Sequence, residues 1–297
     1  MLKSKLSTLK LKALYMLFHY CSLDTLLKIL KSRKIWLSDI TKMNDPEEYK
    51  AGFELVNSQF KNAFPHAADW LNDNHYLSDQ TEYLLLACSF SKKGDDLDQW
   101  RAYGENGAGV CIGFKKSILE RLNDTLIRPE GNLIDGKVRP VMQILPLIYS
   151  IHELKEKAKD ILLQFKKSDT NKNAFGDDML FNEYILGAEL SELAAAFKKS
   201  FYESEREQRM ILSLHRGGKL VGVNAFTAHK PVEIDYRLGG YGITAYSNAL
   251  VSDKSSSAIA SITLGPRNTE SPTEIKYMLN ALGYKNVEVN TSRGHYR

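Results

Sequence analysis

An unbroken apolar run, Tyr83–Ser91 with the sequence YLLLACSFS, sets the first limit on the fold of this chain. A strand with one face in water alternates apolar and polar residues, and this run does not. It is typical of a strand that is buried on both faces. The chain must therefore place other elements against both sides of this strand.

Shorter patterns predict the elements around that strand. Further strands are expected at about 14–20, 35–38, 110–114, 202–212, 220–236, 243–251 and 259–264, with a last one starting at 287. Ser22 is a predicted N-cap, because Leu23, Leu26 and Leu30 recur after it at helical spacing. Pro46 is well placed to open a second helix. Strands mixed with helices in this way predict an α+β fold.

The stretch from about 144 to 200 is charged and has a helical pattern, without a turn-rich linker. We interpret it as a helical insertion between core strands, with its best internal break at Thr170–Asn173. The whole chain, 1–297, is predicted to be a single domain with this insertion.

Composition indicates a protein of the cytoplasm. The 297 residues are 43% hydrophobic and carry a net charge of +4, which permits an anionic partner without requiring one. The three cysteines Cys21, Cys88 and Cys111 are too few and too scattered for a disulfide framework. Neither a signal peptide nor a membrane span is expected from the apolar runs.

The charged segment Tyr202–Arg209 runs directly into Met210-Ile211-Leu212. If it is a strand, its period of two places Glu205, Glu207 and Arg209 on one face. Two carboxylates on one face repel each other, so a surface strand has little reason to carry them. A cleft that stabilises developing positive charge has such a reason, and the alternative is a solvated edge strand with an internal Glu–Arg pair.

Several common catalytic motifs are missing. The glycine loop Gly104–Gly109 lies between a helix and a strand, the reverse of a phosphate-binding loop, so we predict a structural turn. The seven histidines have no spacing that predicts a zinc site, and no Gly-x-Ser-x-Gly elbow occurs. The acidic residues of Asn44–Glu48 are explained by the start of a helix. We therefore expect no metal.

His19 and Tyr20 end the first predicted strand. A histidine there, a distant strand-borne glutamate and an aromatic wall together suit a nicotinamide dinucleotide held for glycosidic cleavage. Breaking the bond between nicotinamide and ribose builds oxocarbenium character on the sugar. A fixed carboxylate stabilises that charge more in the transition state than in the ground state.

A series of short motifs extends over nearly the whole chain. In order they are His19-Tyr20 with Ser22-Leu23-x-x-Leu26-Leu27-x-Ile29-Leu30, Ile35–Ser38, Asn44-Asp45-Pro46-x-Glu48, Ser89-Phe90-Ser91, Trp100-x-x-Tyr103, Gly109–Phe114, Glu205-x-Glu207-x-Arg209, Leu264–Arg267 and Ser292…Tyr296-Arg297. This ordered set resembles a bacterial family catalogued only as a domain of unknown function. That family in turn is similar to a divergent branch of the ADP-ribosyltransferases with a His-Tyr-Glu triad.

The resemblance implies a split, mixed or antiparallel β core with flanking helices. It also implies that Glu207 is the catalytic carboxylate, that Glu205 faces the acceptor within the same motif as Arg209, and that His19 binds the adenosine ribose of NAD⁺. The other residues implied at the NAD⁺ site are Tyr20, Ser38, Asn44, Ser89, Trp100 and Tyr103. Any of the three aromatic ones could stack on nicotinamide. Tyr20-Cys21-Ser22 departs from the family's pattern, in which Gly-Thr or Gly-Ser follows the histidine.

The function implied by the resemblance is mono-ADP-ribosylation of a macromolecule, with RNA or DNA as the favoured acceptor. A bacterial toxin or phage-defence effector, held in check by an antitoxin protein, would fit this activity. Two alternatives stay open. One is a non-catalytic module that binds nucleotides or nucleic acid, and the other is a metal-dependent nuclease using Asn44, Asp45, Glu48 and the 205–209 segment.

Overall fold

The computed structural model describes residues 16–43, 45–75, 83–123, 125–129, 142–167, 181–215, 223–227 and 230–294. The strands are β1 (Met16–Cys21), β2 (Lys34–Asp39), β3 (Tyr83–Ser91), β4 (Val110–Lys115), β5 (Thr125–Pro129), β6 (Met142–Pro146), β7 (Glu207–His215), β8 (Val223–Thr227), β9 (Lys230–Pro231), β10 (Asp235–Gly239), β11 (Gly242–Leu250), β12 (Ile259–Leu264) and β13 (Glu288–Thr291). The helices are α1 (Leu23–Ser32), α2 (Pro46–Ala63), α3 (Trp70–His75), α4 (Leu97–Ala102), α5 (Lys116–Leu122), α6 (Ile151–Lys167), α7 (Phe181–Ala195) and α8 (Pro272–Ala281). The α+β class is confirmed. No described helix is long and apolar enough to cross a membrane.

Local signals in the sequence fix several of these elements. The Ser22 hydroxyl accepts a hydrogen bond from the Thr25 amide and so begins α1. The Asp45 carboxylate accepts a hydrogen bond from the Glu47 amide and so caps α2. The helix begins at Pro46, as predicted. The strand β3 matches the apolar run residue for residue.

The main sheet splits at β3. Its strand order is β10-β11-β2-β3-β1-β4-β12-β13, and β7 pairs with β3 along its whole length while β6 pairs with β7. The other edge of β3 is shared, since β2 pairs with it at Leu86 and Ala87 and β1 pairs with it only at Ser91. Between these points β1 and β2 diverge, and this edge of β3 has no neighbouring strand among the described residues. Only β12 and β13 run parallel; the other described strand pairs are antiparallel, so the sheet is mixed.

Apolar cores cover both faces of β3, as the unbroken run predicts. On one face Leu84 and Leu86 belong to a core that α1, α5 and α8 complete. On the other face Leu85 and Ala87 belong to a core built with α2, α6 and α7. Burial on both faces removes this strand almost entirely from water, so the hydrophobic effect holds it at the centre of the fold.

The region predicted as a helical insertion contains two helices and a strand. It begins with β6, so residues 144–146 are extended rather than helical, and α6 and α7 follow. Both helices pack against α2 in the second core. Thr170–Asn173, the predicted break, lies outside the described residues. The assignment of a single domain with an insertion stays a prediction.

The charged segment before β7 is not a continuous strand. Ser200–Glu205 forms a 3₁₀ turn, and Arg206 follows it in the left-handed region with φ 47°. The strand begins only at Glu207. The expectation that Glu205 shares a strand with Glu207 and Arg209 is therefore wrong, while the alternation from Glu207 to Arg209 holds. A left-handed residue reverses the local chain direction and so ends the period of two.

Candidate functional site

A cavity of about 1190 Å³ opens where β1 and β2 leave β3. Its wall includes residues of β1, α1, β2, β3, β7 and β10, together with the 3₁₀ turn before β7. Ligand pockets in proteins commonly measure about 300–1,000 Å³, so this one is large enough for a dinucleotide. The split of the sheet thus creates a candidate site of dinucleotide size.

Ser89 links His19 to Glu207 at the open edge of β3. The Ser89 carbonyl accepts a hydrogen bond from His19 Nδ1 at 3.1 Å, and its hydroxyl donates to Glu207 Oε1 at 2.6 Å. Since a carbonyl can only accept, Nδ1 carries the proton in this contact and Nε2 is left as an acceptor when the ring is neutral. Burial lowers the pKa of His19 against the opposing effect of the Ser89 bond, which favours the neutral ring at pH 7.

Lys198 lies at the centre of a cluster of buried charges. Its ammonium is 2.7 Å from Glu205 Oε2, 2.8 Å from Glu207 Oε2 and 3.4 Å from Glu48 Oε1. A backbone bridge after α7 fixes its position, because the Lys198 amide donates to the Ile148 carbonyl. Burial alone would lower the pKa of Lys198, but attraction to Glu207 and its neighbours raises it above the ordinary value.

Arg209 is the second cation of the cluster. Its Nε donates to Glu207 Oε1 at 2.8 Å, Nη2 donates to Glu48 Oε2 at 2.6 Å and Nη1 donates to the Ala195 carbonyl at 2.9 Å. The guanidinium thus joins β7, α2 and the end of α7 through one side chain. We call Glu48, Lys198, Glu205, Glu207 and Arg209 the charged cluster.

The charged cluster keeps Glu207 ionised and fixed in place. Burial alone would raise the pKa of Glu207, but attraction to Arg209 and Lys198 outweighs it and holds the pKa below its ordinary value. A carboxylate has about four acceptor positions, and three donors occupy three of them. Since the cluster has three carboxylates and two cations, one net negative charge remains at this end of the cavity. Such an arrangement can stabilise a positive charge that develops on a ligand.

Glu205 reaches the charged cluster from the 3₁₀ turn rather than from a strand. The Ser91 hydroxyl donates to its backbone carbonyl at 3.0 Å, which holds the end of the turn against β3. One carboxylate oxygen binds Lys198, and the side chain is 17% exposed. Glu205 is therefore the most accessible carboxylate of the cluster, and the structure brings it to Glu207 as the sequence motif predicted.

The aromatic candidates differ in their access to the cavity, which Tyr20 and Tyr103 line and Trp100 does not. Tyr103 lines the cavity and is 39% exposed, so its ring is open to a ligand. Trp100 is 1% exposed and is absent from the cavity wall, since its indole donates to Asp95 at 2.8 Å and its ring meets Tyr20 edge-on. Both hydrogen-bonding roles of the Tyr20 hydroxyl are taken up by backbone groups of Lys93 and Asp96. Tyr103 is therefore the aromatic best placed to stack on a ligand.

The remaining predicted site residues are Ser38 and Asn44. Ser38 lies on the cavity wall, where its hydroxyl accepts a hydrogen bond from Arg237 Nη2 at 3.0 Å. Asn44 lies outside the described residues. The nuclease alternative invokes Asp45 and Glu48 as metal ligands. In the structure Asp45 caps α2, and Glu48 pairs with cations of the charged cluster. Among the described residues, no group of three or more His, Cys, Asp or Glu side chains could hold a metal ion.

Sequence reasoning missed Lys198 and Arg237, and it assigned Glu48 to a helix start or to a metal site rather than to an ion pair. Lys198 stands next to Lys199 in a basic pair, and nothing in the pair shows that one side chain is 5% exposed while the other is exposed. Glu48 lies in the first turn of α2, where acidic residues are common for reasons of helix stability. The signal that could have found both is an excess of buried charge that must be paired, which becomes visible only with the fold.

Comparison with known proteins adds one match. Residues 99–210 match the model of a family described as protein of unknown function (DUF2971). The match spans less than half of the 297-residue chain. It does not include His19 or Ser89. The site residues that it includes are Tyr103, Lys198, Glu205, Glu207 and Arg209. No curated protein and no solved structure matches the chain. The match agrees with the first step of the resemblance and has no bearing on the second, the step to ADP-ribosyltransferases.

Proposed function

We propose that this protein is an NAD⁺-dependent mono-ADP-ribosyltransferase. The observation that carries the proposal is the position of Ser89, which joins a neutral His19 to an ionised Glu207 at the edge of a large cavity. These are the two residue types that a dinucleotide held for glycosidic cleavage requires. Tyr103 supplies the accessible aromatic ring.

The reaction breaks the bond between C1′ of the ribose and the nicotinamide nitrogen, and the bonding electrons leave with nicotinamide. Positive charge then develops on the ribose, and the net negative charged cluster stabilises it. An acceptor nitrogen or oxygen forms the new bond to C1′ and loses a proton. Glu205, the most accessible carboxylate of the cluster, is placed to receive that proton.

His19 and Tyr103 have binding roles in this proposal. The free Nε2 of His19 accepts a hydrogen bond from a ribose hydroxyl, because its Nδ1 proton is already given to Ser89. Tyr103 stacks on the nicotinamide ring. Ser38 and Ser89 complete the polar wall.

The acceptor we propose is nucleic acid, either RNA or DNA. The mild positive charge of the chain and its resemblance to nucleic-acid-modifying members of that superfamily support this choice. The same resemblance supports a role as a toxin or phage-defence effector in the cytoplasm, with an antitoxin protein as its partner.

A second function has one observation in its favour. Two cations on one carboxylate are also what a purely structural ion-pair network requires, because a buried charge must be paired. A non-catalytic nucleotide-binding module would use the same cavity without cleaving its ligand.

Nicotinamide release from NAD⁺ separates the two. We expect the wild-type protein to release nicotinamide, faster with one of total RNA, DNA or cell lysate, and Glu207→Gln to lose about 10²–10³-fold of that rate. Glu203→Gln is the matched control, because Glu203 is an exposed carboxylate on the neighbouring 3₁₀ turn. If folded wild-type protein without a bound inhibitor releases none in any condition, the transferase proposal fails. If it still binds NAD⁺, the binding module replaces it.

A further inference from the structure

The wall of the cavity is acidic at one end and basic at the other. The charged cluster forms the acidic end, next to β7. On the side of α1, β2 and β10, the wall carries five cations: Lys28, Lys31, Lys34, Lys42 and Arg237. Lys28 pairs with Asp24 on α1, and the other four have no ion-pair partner among the residues that the structure describes. Unpaired cations facing a shared cavity attract an anionic ligand and focus its approach.

Arg237 is the cation most firmly held in position. Its Nη2 donates to Ser38, and its guanidinium lies over the ring of Trp36 with 5.1 Å between the guanidinium carbon and the ring centroid. Asp235, which lies on the same face of β10, accepts a hydrogen bond from the Tyr246 hydroxyl instead of binding Arg237. The orientation of Arg237 is therefore fixed by uncharged groups, which leaves its charge uncompensated.

Arg237 also has hydrogen-bond donors without acceptors. Its Nε is buried, and neither Nε nor Nη1 makes a hydrogen bond to a residue that the structure describes. A buried donor without an acceptor is unfavourable, and most are satisfied in folded proteins. Guanidinium donors in a rigid fork match the oxygens of a phosphate group better than any other side chain does.

Three residues of β2 extend the basic end. Lys34, Trp36 and Ser38 alternate with the core residues Ile35 and Leu37, so they lie on the same face of the strand. Lys34 thus stands on the same face as the Ser38–Arg237 contact, at the other end of the strand. Lys31 and Lys42 stand on either side of β2 in the chain. All of these cations line the same cavity.

We infer that this end of the cavity is a diphosphate-binding subsite, with Arg237 as its principal residue and a nucleoside diphosphate group as its ligand. This deepens the proposed function, because it orients NAD⁺ with its diphosphate towards β2 and β10 and its glycosidic bond towards Glu207. Ser38 pairs with Ala87, two residues before Ser89, so the Cα atoms of Ser38 and Ser89 are on the order of 8 Å apart. The residue that holds Arg237 and the residue that holds Glu207 thus lie close together on the same wall.

Binding of ADP, AMP and adenosine tests the inference without any turnover. We expect wild-type protein to bind ADP more tightly than AMP, with affinity that falls as salt is raised. Arg237→Gln should weaken ADP binding about 10- to 100-fold, the range for a charge-assisted hydrogen bond, and should reduce the preference for ADP over AMP. Arg237→Lys should recover only part of the loss, because an ammonium keeps the charge but not the fork. Arg121→Gln, which removes an exposed arginine of α5, should bind ADP as the wild type does.

Calorimetric titration gives the affinities, and fluorescence of Trp36 gives a local signal, since Trp36 is 45% exposed beside Arg237. If Arg237→Gln does not fold, Lys34→Gln provides the second variant, with an expected loss of about threefold. Equal affinity for ADP, AMP and adenosine, or equal ADP affinity in wild type and Arg237→Gln, would overturn the inference. Binding of RNA but not of ADP would also overturn it.

The inference and the proposed function fail separately. ADP binding that depends on Arg237, from a protein that never releases nicotinamide, would keep the subsite and reject the transferase. Nicotinamide release from a protein whose ADP binding ignores Arg237 would keep the transferase and reject the subsite.

Discussion

Two of the polar clusters among the described residues differ in what surrounds them. The charged cluster borders the cavity, and five ionised side chains share its hydrogen bonds. The second cluster, which we call the Tyr20 cluster, consists of Tyr20, Trp100 and Asp95, and its hydrogen bonds end on backbone groups, on Ser292 and on each other. Trp100, its largest ring, does not reach the cavity.

This difference distinguishes a cluster that can interact with a ligand from one that supports the fold. In the Tyr20 cluster the Tyr20 hydroxyl, the Trp100 indole and both Asp95 carboxylate oxygens have hydrogen-bond partners within the protein, and Asp95 connects the segment near Ser292 to the segment before α4. The charged cluster has one more negative than positive charge and an accessible carboxylate, so it retains capacity to interact with a ligand. Motif position alone placed both sets of residues in one site, and three-dimensional position divides them.

The largest effect is expected from a substitution of Arg209 in the charged cluster. Replacement by methionine leaves the three carboxylates of the charged cluster, two of them buried, with Lys198 as their one remaining cation, so we expect a loss of about 3–5 kcal/mol in the free energy of unfolding. Urea unfolding followed by circular dichroism measures it. Arg206→Met, a change of an exposed arginine three residues earlier, should cost less than about 0.5 kcal/mol. Equal costs for the two variants would show that the charged cluster is not held together by Arg209.

A substitution in the Tyr20 cluster should lower stability and leave the rate of nicotinamide release nearly unchanged. Tyr20→Phe removes a hydroxyl that bonds two backbone groups, and we expect a loss of about 1–3 kcal/mol in stability. Nicotinamide release per folded molecule should stay within about twofold of wild type, because the hydroxyl is already bonded to two backbone groups and the ring that lines the cavity is kept. A large loss of turnover at unchanged stability would move Tyr20 from the support into the site.

Acid should weaken the charged cluster through Glu207. Its pKa in the folded protein is below the ordinary value of 4.5, so the stability it contributes is complete above pH 4.5 and is lost as the pH falls through the folded pKa. In Lys198→Met the pKa is lowered less, because one attracting cation is gone, and the drop in unfolding free energy between pH 6 and pH 3 should be smaller. Lys199→Met, the exposed neighbour, should follow the wild-type curve. Identical curves for both variants would contradict the assigned role of Lys198.

The smallest expected effect is at His19. Its folded pKa lies below 6.5, so the folded state favours the neutral ring, and stability is complete above pH 6.5 and falls as the pH drops from 6.5 towards the folded pKa. Melting temperatures between pH 5 and 7.5 should show this slope in the wild type and lose part of it in His19→Gln. An NMR titration of His19 with a midpoint above 6.5 would contradict it.

Much of the frame could be predicted from the sequence, because local chemistry determines it. The apolar run Tyr83–Ser91 predicts a strand buried on both faces. Ser22 and Asp45 cap helices by accepting hydrogen bonds from amides two or three residues away. The acidic motif could be read only in part. Its alternation holds from Glu207, but the left-handed Arg206 breaks it before Glu205, and no residue type in ESER signals that turn.

The site itself depends on distances that no local pattern encodes. Glu48 and Arg209 are 161 residues apart in the chain and 2.6 Å apart in space. Arg237 on β10 is brought to Trp36 and Ser38 on β2 by two strand pairings, β10 with β11 and β11 with β2. In both cases the residue type is ordinary on a protein surface and becomes informative only where the fold removes water from it.

The split of the sheet has a mechanical consequence. Because β3 is paired with β7 along its entire length, the base that holds Ser89, Glu207 and Arg209 is braced by a continuous ladder. β1, which carries His19, pairs with that base at Ser91, the last residue of β3, and β2 pairs with it at Leu86 and Ala87, in the middle of the strand. Residues 88–90 of this edge therefore have no strand partner among the described residues, and a ligand placed there displaces no strand pairing. The spacing of Ser89, Glu207 and Arg209 is set by the ladder between β3 and β7, independently of what the cavity binds.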